Sequence, residues 1–244
     1  MLNPVLKKFR NTNLVLLVCA MACLVCYDIF RGVWLKGFTS FWFVLLGLVN
    51  LVFAKKSAIN NAKPVYFIFT GLFLGMLADV LLAVFFELGV LFFALGHVMY
   101  LAAFYTVEKP RRMDFIITIP VAALSVFVIT GTPFITIEDA LIKKFLIGYA
   151  VVISFMLGKA LSNFMAEKTV SRLVIAVSSL LFLFSDLMLA IDMFGTPSRL
   201  VWILCSYSYW PAQSLIAHSL FHFAKEQQRQ KVHRNTKRVD TKLL

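Results

Sequence analysis

Two aspartates within long apolar stretches are the residues of this sequence best placed to do chemistry. Asp79 lies in GLFLGMLADVLLAVFF and Asp186 in SSLLFLFSDLMLAIDMF, each at the start of an Asp-x-x-Leu-Ala pattern. An ionisable side chain among apolar residues is costly unless it faces a partner or a cavity, so each aspartate is a candidate for function. Two carboxyl groups in a site of low dielectric constant can divide acid and base roles, one protonated and the other ionised. The pair therefore predicts proton-transfer chemistry.

Five more polar side chains lie in apolar stretches near this pair: His97, Tyr100, Ser185, Tyr209 and Gln213. At about 1.5 Å per helical residue, the two aspartates lie roughly 10 Å below one membrane surface, His97 and Tyr209 roughly 14 Å, and Gln213 roughly 20 Å. Polar groups from four helices thus share one layer, and they form a polar cavity if their helix faces converge. Helix packing is the competing explanation, because an intramembrane histidine can bond a carbonyl, and tyrosine and glutamine can join helices.

Eight apolar stretches must form the helices that position these groups. They cover residues 13–30, 38–54, 65–86, 88–106, 114–131, 141–162, 170–193 and 200–223. A hydrocarbon core of about 30 Å is crossed by about 20 apolar residues in a helix. Segments such as FWFVLLGLVNLVFA are apolar on every face, which indicates helices and not the alternating strands of a barrel. We predict an all-α polytopic membrane bundle of eight transmembrane helices, forming a single domain over residues 1–224.

The positive charges predict how the bundle is oriented. With the N-terminus in the cytoplasm, 19 of the 24 Lys and Arg residues fall in cytoplasmic segments. The other five lie in outer segments: Arg31, Lys36, Lys143, Lys144 and Arg199. Because cytoplasmic loops are enriched in Lys and Arg, both termini are predicted to be cytoplasmic. Residues 225–244 form a basic, flexible tail that suits anionic lipid headgroups, so the net charge of +12 calls for no nucleic-acid partner.

A stripe of small residues leads to the first aspartate. Gly71, Gly75 and Asp79 are spaced four apart and therefore share one helix face. Glycines at this spacing let a neighbouring helix approach closely. The stripe predicts that Asp79 lies in a tight seam between helices.

A metal site is a further possibility, and His218 and His222, four apart near the end of the last stretch, are its best candidates. Protein zinc sites use three or four protein ligands, and no third ligand is predicted at the depth of this pair. The four cysteines are interpreted as small apolar residues. No nucleotide-binding or flavin motif occurs, so we expect a reaction that needs neither a metal nor another cofactor.

The polar motifs together resemble the YhhN-like lysoplasmalogenases, multispan membrane enzymes that hydrolyse the vinyl ether bond of lysoplasmalogens. The order and spacing match in LADVLL with Asp79, GHVMY with His97 and Tyr100, FSDLMLAIDMF with Ser185 and Asp186, and SYWPAQSLIA with Tyr209 and Gln213. Two positions depart from the family pattern. Ala78 replaces the usual glycine before the first aspartate, and Trp210-Pro211 fills the variable pair of the last motif.

The resemblance implies that the protein cleaves lysoplasmenylethanolamine or lysoplasmenylcholine to a fatty aldehyde and the glycerophospho-alcohol. It implies that Asp79 and Asp186 are catalytic, whereas five residues position water or substrate: His97, Tyr100, Ser185, Tyr209 and Gln213. The substrate would be a lysophospholipid within the bilayer. The membrane would be the endoplasmic reticulum in a eukaryote and the inner membrane in a bacterium.

Three other functions fit the same residues. A proton-coupled transporter would use Asp79, His97 and Asp186 as a relay. A lipid-binding membrane protein would keep the fold without hydrolysis. A serine hydrolase would use Ser185 as nucleophile and His97 as base. The sequence leaves headgroup preference and oligomeric state open.

Overall fold

The computed structural model describes residues 4–133 and 135–240, which form eight α-helices and no β-strand. The helices are α1 (Pro4–Phe30), α2 (Val33–Lys56), α3 (Lys63–Leu81), α4 (Phe86–Val107), α5 (Arg112–Gly131), α6 (Ala140–Ala166), α7 (Val170–Phe194) and α8 (Arg199–Asp240). Each predicted apolar stretch corresponds to one helix, so the all-α prediction is confirmed for the described residues.

The connection between α3 and α4 is tighter than the sequence indicates. Helix α3 ends at Leu81, whereas the apolar stretch continues to residue 86, where α4 already begins. Gly89 makes this turn possible, because a Cβ atom there would lie 2.5 Å from the backbone of Leu82. The short turn keeps α3 and α4 side by side, so Asp79 and His97 are on neighbouring helices.

Helices α1 to α7 are each long and apolar enough to cross a membrane. Helix α8 is longer, but serine, tyrosine and glutamine side chains make its central part more polar. Those side chains face the bundle interior: Ser206, Tyr209 and Gln213 are at most 7% exposed. A helix that presents its polar side chains to its neighbours can be less apolar and still lie inside a membrane bundle.

The C-terminal part of α8 continues from the bundle without a break in the helix. Beyond residue 224, α8 remains helical to Asp240. Glu226 accepts hydrogen bonds from the amide of Ser171, at 3.1 Å, and from its hydroxyl, which ties α8 to the start of α7. Residues 241–244 of the predicted tail lie outside the described residues. The flexibility and cytoplasmic location of the tail stay predictions.

Helix α8 lies at the centre of the packing and contacts α1, α2, α3 and α7, while α4 packs against α3 and α6. The core between these helices contains Phe43, Leu72, Phe182 and Ile216, each with no exposed surface. Helix α5 is different. Among the described helices, it packs against α6 alone.

A buried ion pair fastens α5 to α6 near the start of α5. The ammonium of Lys159 lies 3.0 Å from Asp114 and donates a 2.8 Å hydrogen bond to the carbonyl of Lys109. Lys159 has no exposed surface and Asp114 is 1% exposed. Gly158 touches Thr118 one turn further along α5, so the two helices are in close contact over this part.

Replacing Lys159 with methionine is expected to lower the thermal stability of the purified protein. The change leaves Asp114 buried without its ammonium partner, and breaking a buried pair in this way costs about 3–5 kcal/mol. The melting temperature in detergent measures the effect. The double variant Lys159→Met/Asp114→Asn is the control, because removing both charges should restore most of the loss. Equal melting temperatures for the single variant and the wild type would contradict the prediction.

Candidate active site

The first of two polar clusters is built around Asp79, which is 1% exposed near the end of α3. One carboxylate oxygen, Oδ2, accepts hydrogen bonds from the Ser40 hydroxyl at 2.5 Å and the Tyr209 hydroxyl at 2.7 Å. The other, Oδ1, lies 3.6 Å from the ammonium of Lys36. Helices α2 and α8 therefore direct two hydroxyl donors and one cation at a carboxyl group of α3.

A chain of hydrogen bonds from α4 orients the Tyr209 hydroxyl. Tyr100 donates to Oε1 of Gln213 at 2.6 Å, and Nε2 of Gln213 donates to the Tyr209 oxygen at 3.2 Å. Because the Tyr209 oxygen already accepts from Gln213, its own hydrogen is free to point at Asp79. Three residues predicted as positioning groups, Tyr100, Tyr209 and Gln213, thus act on Asp79 as one network.

The second cluster is built around Asp186 on α7. Tyr149 of α6 donates a 2.5 Å hydrogen bond to Oδ2 of Asp186, and Nε2 of His97 lies 2.9 Å from the Tyr149 oxygen and 3.5 Å from the same carboxylate. Nδ1 of His97 is buried without a hydrogen-bond partner. Because Tyr149 donates its one hydroxyl hydrogen to Asp186, we assign a hydrogen to Nε2 of His97 in its contact with Tyr149. His97 then donates to Tyr149, and Tyr149 donates to Asp186.

Ser185 has a smaller part in this cluster. Its hydroxyl donates to the carbonyl of Phe182 at 2.8 Å and lies 3.3 Å from Oδ1 of Asp186. Neither of these hydrogen bonds involves a histidine. A serine nucleophile needs a base within hydrogen-bond reach. The geometry therefore favours a positioning role for Ser185 over the role of nucleophile.

Two cavities border the clusters and share part of their lining. The smaller one, of about 50 Å³, is called the polar cavity after its charged side chains; Lys36, Asp79, Tyr209 and Asp186 line it, among other residues, and it is large enough for water. An apolar cavity of about 210 Å³ extends between α4, α5, α6 and α7. Asp186 lines both cavities, as do Phe93 and Leu189. Asp79, Asp186 and Tyr209 of the predicted polar layer thus line one cavity, whereas His97 and Gln213 of the same layer line neither cavity.

Four residues of the site were not predicted from the sequence to take part in it: Lys36, Ser40, Tyr149 and Trp210. Lys36 was assigned to an outer loop, but α2 begins at Val33, so Lys36 lies in its first turn and shares a face with Ser40. The indole of Trp210 donates to the Ser40 hydroxyl at 3.3 Å. The four-residue spacing of Lys36 and Ser40 was the signal in the sequence that could have identified them as one helix face. The sequence holds no such signal for Tyr149, because its role depends on how α6 packs beside α7.

The histidine pair belongs to a separate network that joins α1, α2 and α8. Nδ1 of His218 lies 2.8 Å from Oδ1 of Asn13, and Nε2 of His222 lies 3.2 Å from Nε2 of His218. Asn13 is in turn hydrogen-bonded to Asn50. In the part of the chain that the structure describes, no group of three or more His, Cys, Asp or Glu side chains could hold a metal ion.

The glycine stripe of α3 provides the room that both networks need. A Cβ atom on Gly75 would lie 2.5 Å from Nε2 of Gln213, and one on Gly71 would overlap the ring of Tyr100. The expected tight seam is therefore present beside Asp79. It is occupied by the side chains that orient Tyr209.

Replacing Gly75 with alanine is expected to lower the activity of the protein much more than its thermal stability. The new methyl group displaces the Gln213 amide, which is the end of a flexible side chain, so the overpacking cost should stay near 1 kcal/mol. Tyr209 then loses the donor that orients it. We expect a fall in activity of about tenfold with little change in melting temperature. Gly148→Ala is the matched control, because no atom lies within 4 Å of a Cβ there. Equal activity of the two variants would contradict the prediction.

Long apolar helices that surround a buried carboxyl group, Asp79, and a partly exposed one, Asp186, define a multi-pass integral membrane protein with an intramembrane polar site. The chain belongs to the YhhN family, whose sequence profile matches residues 36–220. This finding confirms the family resemblance, and the matched range contains both aspartates and all five predicted positioning residues. No curated protein and no solved structure matches the chain.

Proposed function

We propose that this protein is a lysoplasmalogenase, which hydrolyses the vinyl ether bond of lysoplasmalogens. The observation that carries the proposal is the position of Asp186, which lines both an apolar cavity of about 210 Å³ and the polar cavity that contains Asp79. A lysoplasmalogen has one alkenyl chain and one polar glycerophospho group, and its reactive bond lies where they meet. Membership of the YhhN family supports the same activity.

The two cavities suggest how the aspartates divide the chemistry. Acid hydrolysis of a vinyl ether begins with protonation of the β-carbon, on the chain side of the double bond. Asp186 borders the apolar cavity and is the proton donor in this mechanism. Electrons of the double bond form the new C–H bond, and the ether oxygen stabilises the resulting cation as an oxocarbenium ion.

Asp79 then acts as the base in the polar cavity. It takes a proton from a water molecule as the water oxygen bonds to the oxocarbenium carbon, which gives a hemiacetal. As the hemiacetal collapses to the aldehyde, Asp79 gives its proton to the glycerol oxygen while the C–O bond breaks. The hemiacetal hydroxyl gives its proton to Asp186, so both carboxyl groups return to their starting states. The negative charge of Asp79 also stabilises the oxocarbenium ion before water attacks. His97 and Tyr149 position Asp186, whereas Tyr209 positions Asp79.

The proposal includes the membrane arrangement. We propose that α8 is an eighth membrane span and that both termini are cytoplasmic, so both cavities lie in the half of the membrane away from the cytoplasm. The lysolipid remains in the bilayer during the reaction. The membrane is the endoplasmic reticulum if the source is eukaryotic and the inner membrane if it is bacterial.

Aldehyde release from lysoplasmenylethanolamine by the purified protein tests this function. Two matched lipids serve as controls: the saturated alkyl ether, which cannot be protonated to an oxocarbenium ion, and the acyl ester, which a serine hydrolase would cleave. We expect aldehyde from the vinyl ether and no product from either control. Cleavage of the ester, or no turnover of the vinyl ether, would refute the proposal.

A further inference from the structure

Lys36 is a cation at the edge of the polar cavity. It lies in the first turn of α2, and its side chain is 16% exposed, against 2% for the side chain of Asp79. Its ammonium lies 3.6 Å from Asp79 Oδ1, whereas a charge-assisted hydrogen bond is about 2.7–2.9 Å long. Lys36 and Asp79 therefore form an ion pair, but at a distance longer than a charge-assisted hydrogen bond.

The neighbouring cations at this end of the bundle are engaged elsewhere. Arg199 forms two hydrogen bonds with Asp28, at 2.6 and 2.7 Å, and the guanidinium of Arg31 lies over the ring of Trp202 at 4.6 Å. Among the described residues, Lys36 is the only Lys or Arg that lines either cavity. An anion at the mouth of the polar cavity would thus meet Lys36.

Asp79 does not depend on Lys36 for its hydrogen bonds. Ser40 and Tyr209 both donate to Oδ2. The ammonium can therefore turn toward a second anion and leave Asp79 with two donors. An ammonium with three N–H groups can also bridge two anions.

We propose that Lys36 binds the phosphate of the lysolipid substrate, an inference that rests on the proposed lysoplasmalogenase function. The glycerol backbone links this phosphate to the vinyl ether oxygen, so an anchored phosphate fixes how far the ether bond reaches toward the aspartates. Lys36 lies in the first turn of α2, at the outer end of the polar cavity, which places the phosphate there and the terminal amine beyond it. Lys36 thus recognises the phosphodiester, and ethanolamine and choline lipids bind alike.

Binding of two uncleavable lipids tests the assignment independently of turnover. One is an alkyl ether lysophosphatidylethanolamine, and the other is the alkylglycerol of the same chain length, which lacks the phosphate. We expect the wild type to bind the phospholipid about tenfold to a hundredfold more tightly, as for a charge-assisted hydrogen bond. Lys36→Met should abolish this preference, Lys36→Arg should keep most of it, and Lys144→Met, which removes an exposed lysine of α6, should not change it.

Two outcomes would overturn the assignment. One is an equal preference for the phospholipid in the wild type and in Lys36→Met. The other is binding of inorganic phosphate that is lost in Lys36→Met, with no preference of the wild type for the phospholipid over the alkylglycerol, which would assign the site to a free anion. Failure of the proposed function gives a different result from failure of the Lys36 assignment. The protein would then still bind the phospholipid through Lys36 but would release no aldehyde from the vinyl ether lipid.

Discussion

Asp79→Asn and Asp186→Asn are each expected to reduce the rate of aldehyde release by roughly 10²–10⁴-fold, the contribution of a positioned acid or base. Asparagine has nearly the shape of aspartate and still offers an oxygen to Tyr209 or Tyr149, so the loss should come from missing proton transfer. The two losses should not add in the double variant, because the residues act in one reaction. The rate constant measured with purified variants at saturating lysoplasmenylethanolamine gives the effect directly.

Asp192→Asn provides the matched control for this experiment. Asp192 is on α7, six residues after Asp186, and it lines neither cavity. It should retain full activity. Size-exclusion profiles of all variants separate lost chemistry from lost folding. Wild-type activity in either Asp79→Asn or Asp186→Asn would eliminate the two-carboxylate mechanism.

Ala190→Trp is expected to prevent cleavage of long-chain substrates, with a loss of about 10²-fold for a substrate held away from its reactive position. Ala190 lies one helical turn after Asp186 and lines the apolar cavity. An indole there fills space that the alkenyl chain would occupy. A short-chain lysoplasmalogen should still be cleaved, because its reactive bond can reach Asp186 without using the filled part of the cavity.

The ratio of kcat/KM for long-chain and short-chain substrates is the measurement for Ala190→Trp. Leu180→Trp is the control, since Leu180 is on the same helix but 55% exposed on the outside of the bundle. Its ratio should equal that of the wild type. Loss of activity on both chain lengths in Ala190→Trp, with normal folding, would show that the apolar cavity does not hold the chain.

The residues whose placement among apolar side chains costs the most free energy were the easiest to predict from the sequence. An aspartate inside an apolar stretch needs a partner wherever the helices lie, so Asp79 and Asp186 stood out before any packing was known. Lys36 was missed because a lysine at the end of a stretch also fits a loop, and five residues separate the predicted start of α2 from the observed one at Val33. Tyr149 was missed because a tyrosine in a membrane helix does not by itself indicate a site. Its contact with Asp186 arises only from the packing of α6 against α7.

The grouping of the positioning residues also required the structure. Spacing places His97 and Tyr100 on one face of α4, and their ring centroids lie 6.2 Å apart. They nevertheless serve different aspartates, because Tyr149 approaches His97 from α6 and Gln213 approaches Tyr100 from α8. Periodicity identifies the face of one helix, whereas the partner depends on which helix lies opposite.

Helix α5 is the wall of the apolar cavity that is attached to the fewest neighbouring helices. Lys159 and Asp114 fasten the beginning of this helix, whereas its later part, including Leu124 and Val128, forms a cavity wall and packs, among the described helices, against α6 alone. Moving that part of α5 outward would break contacts with one helix, whereas moving α4, α6 or α7 would break contacts with two or more helices. If the proposed reaction takes place there, its long-chain aldehyde would have the shortest way into the membrane past α5, without crossing water.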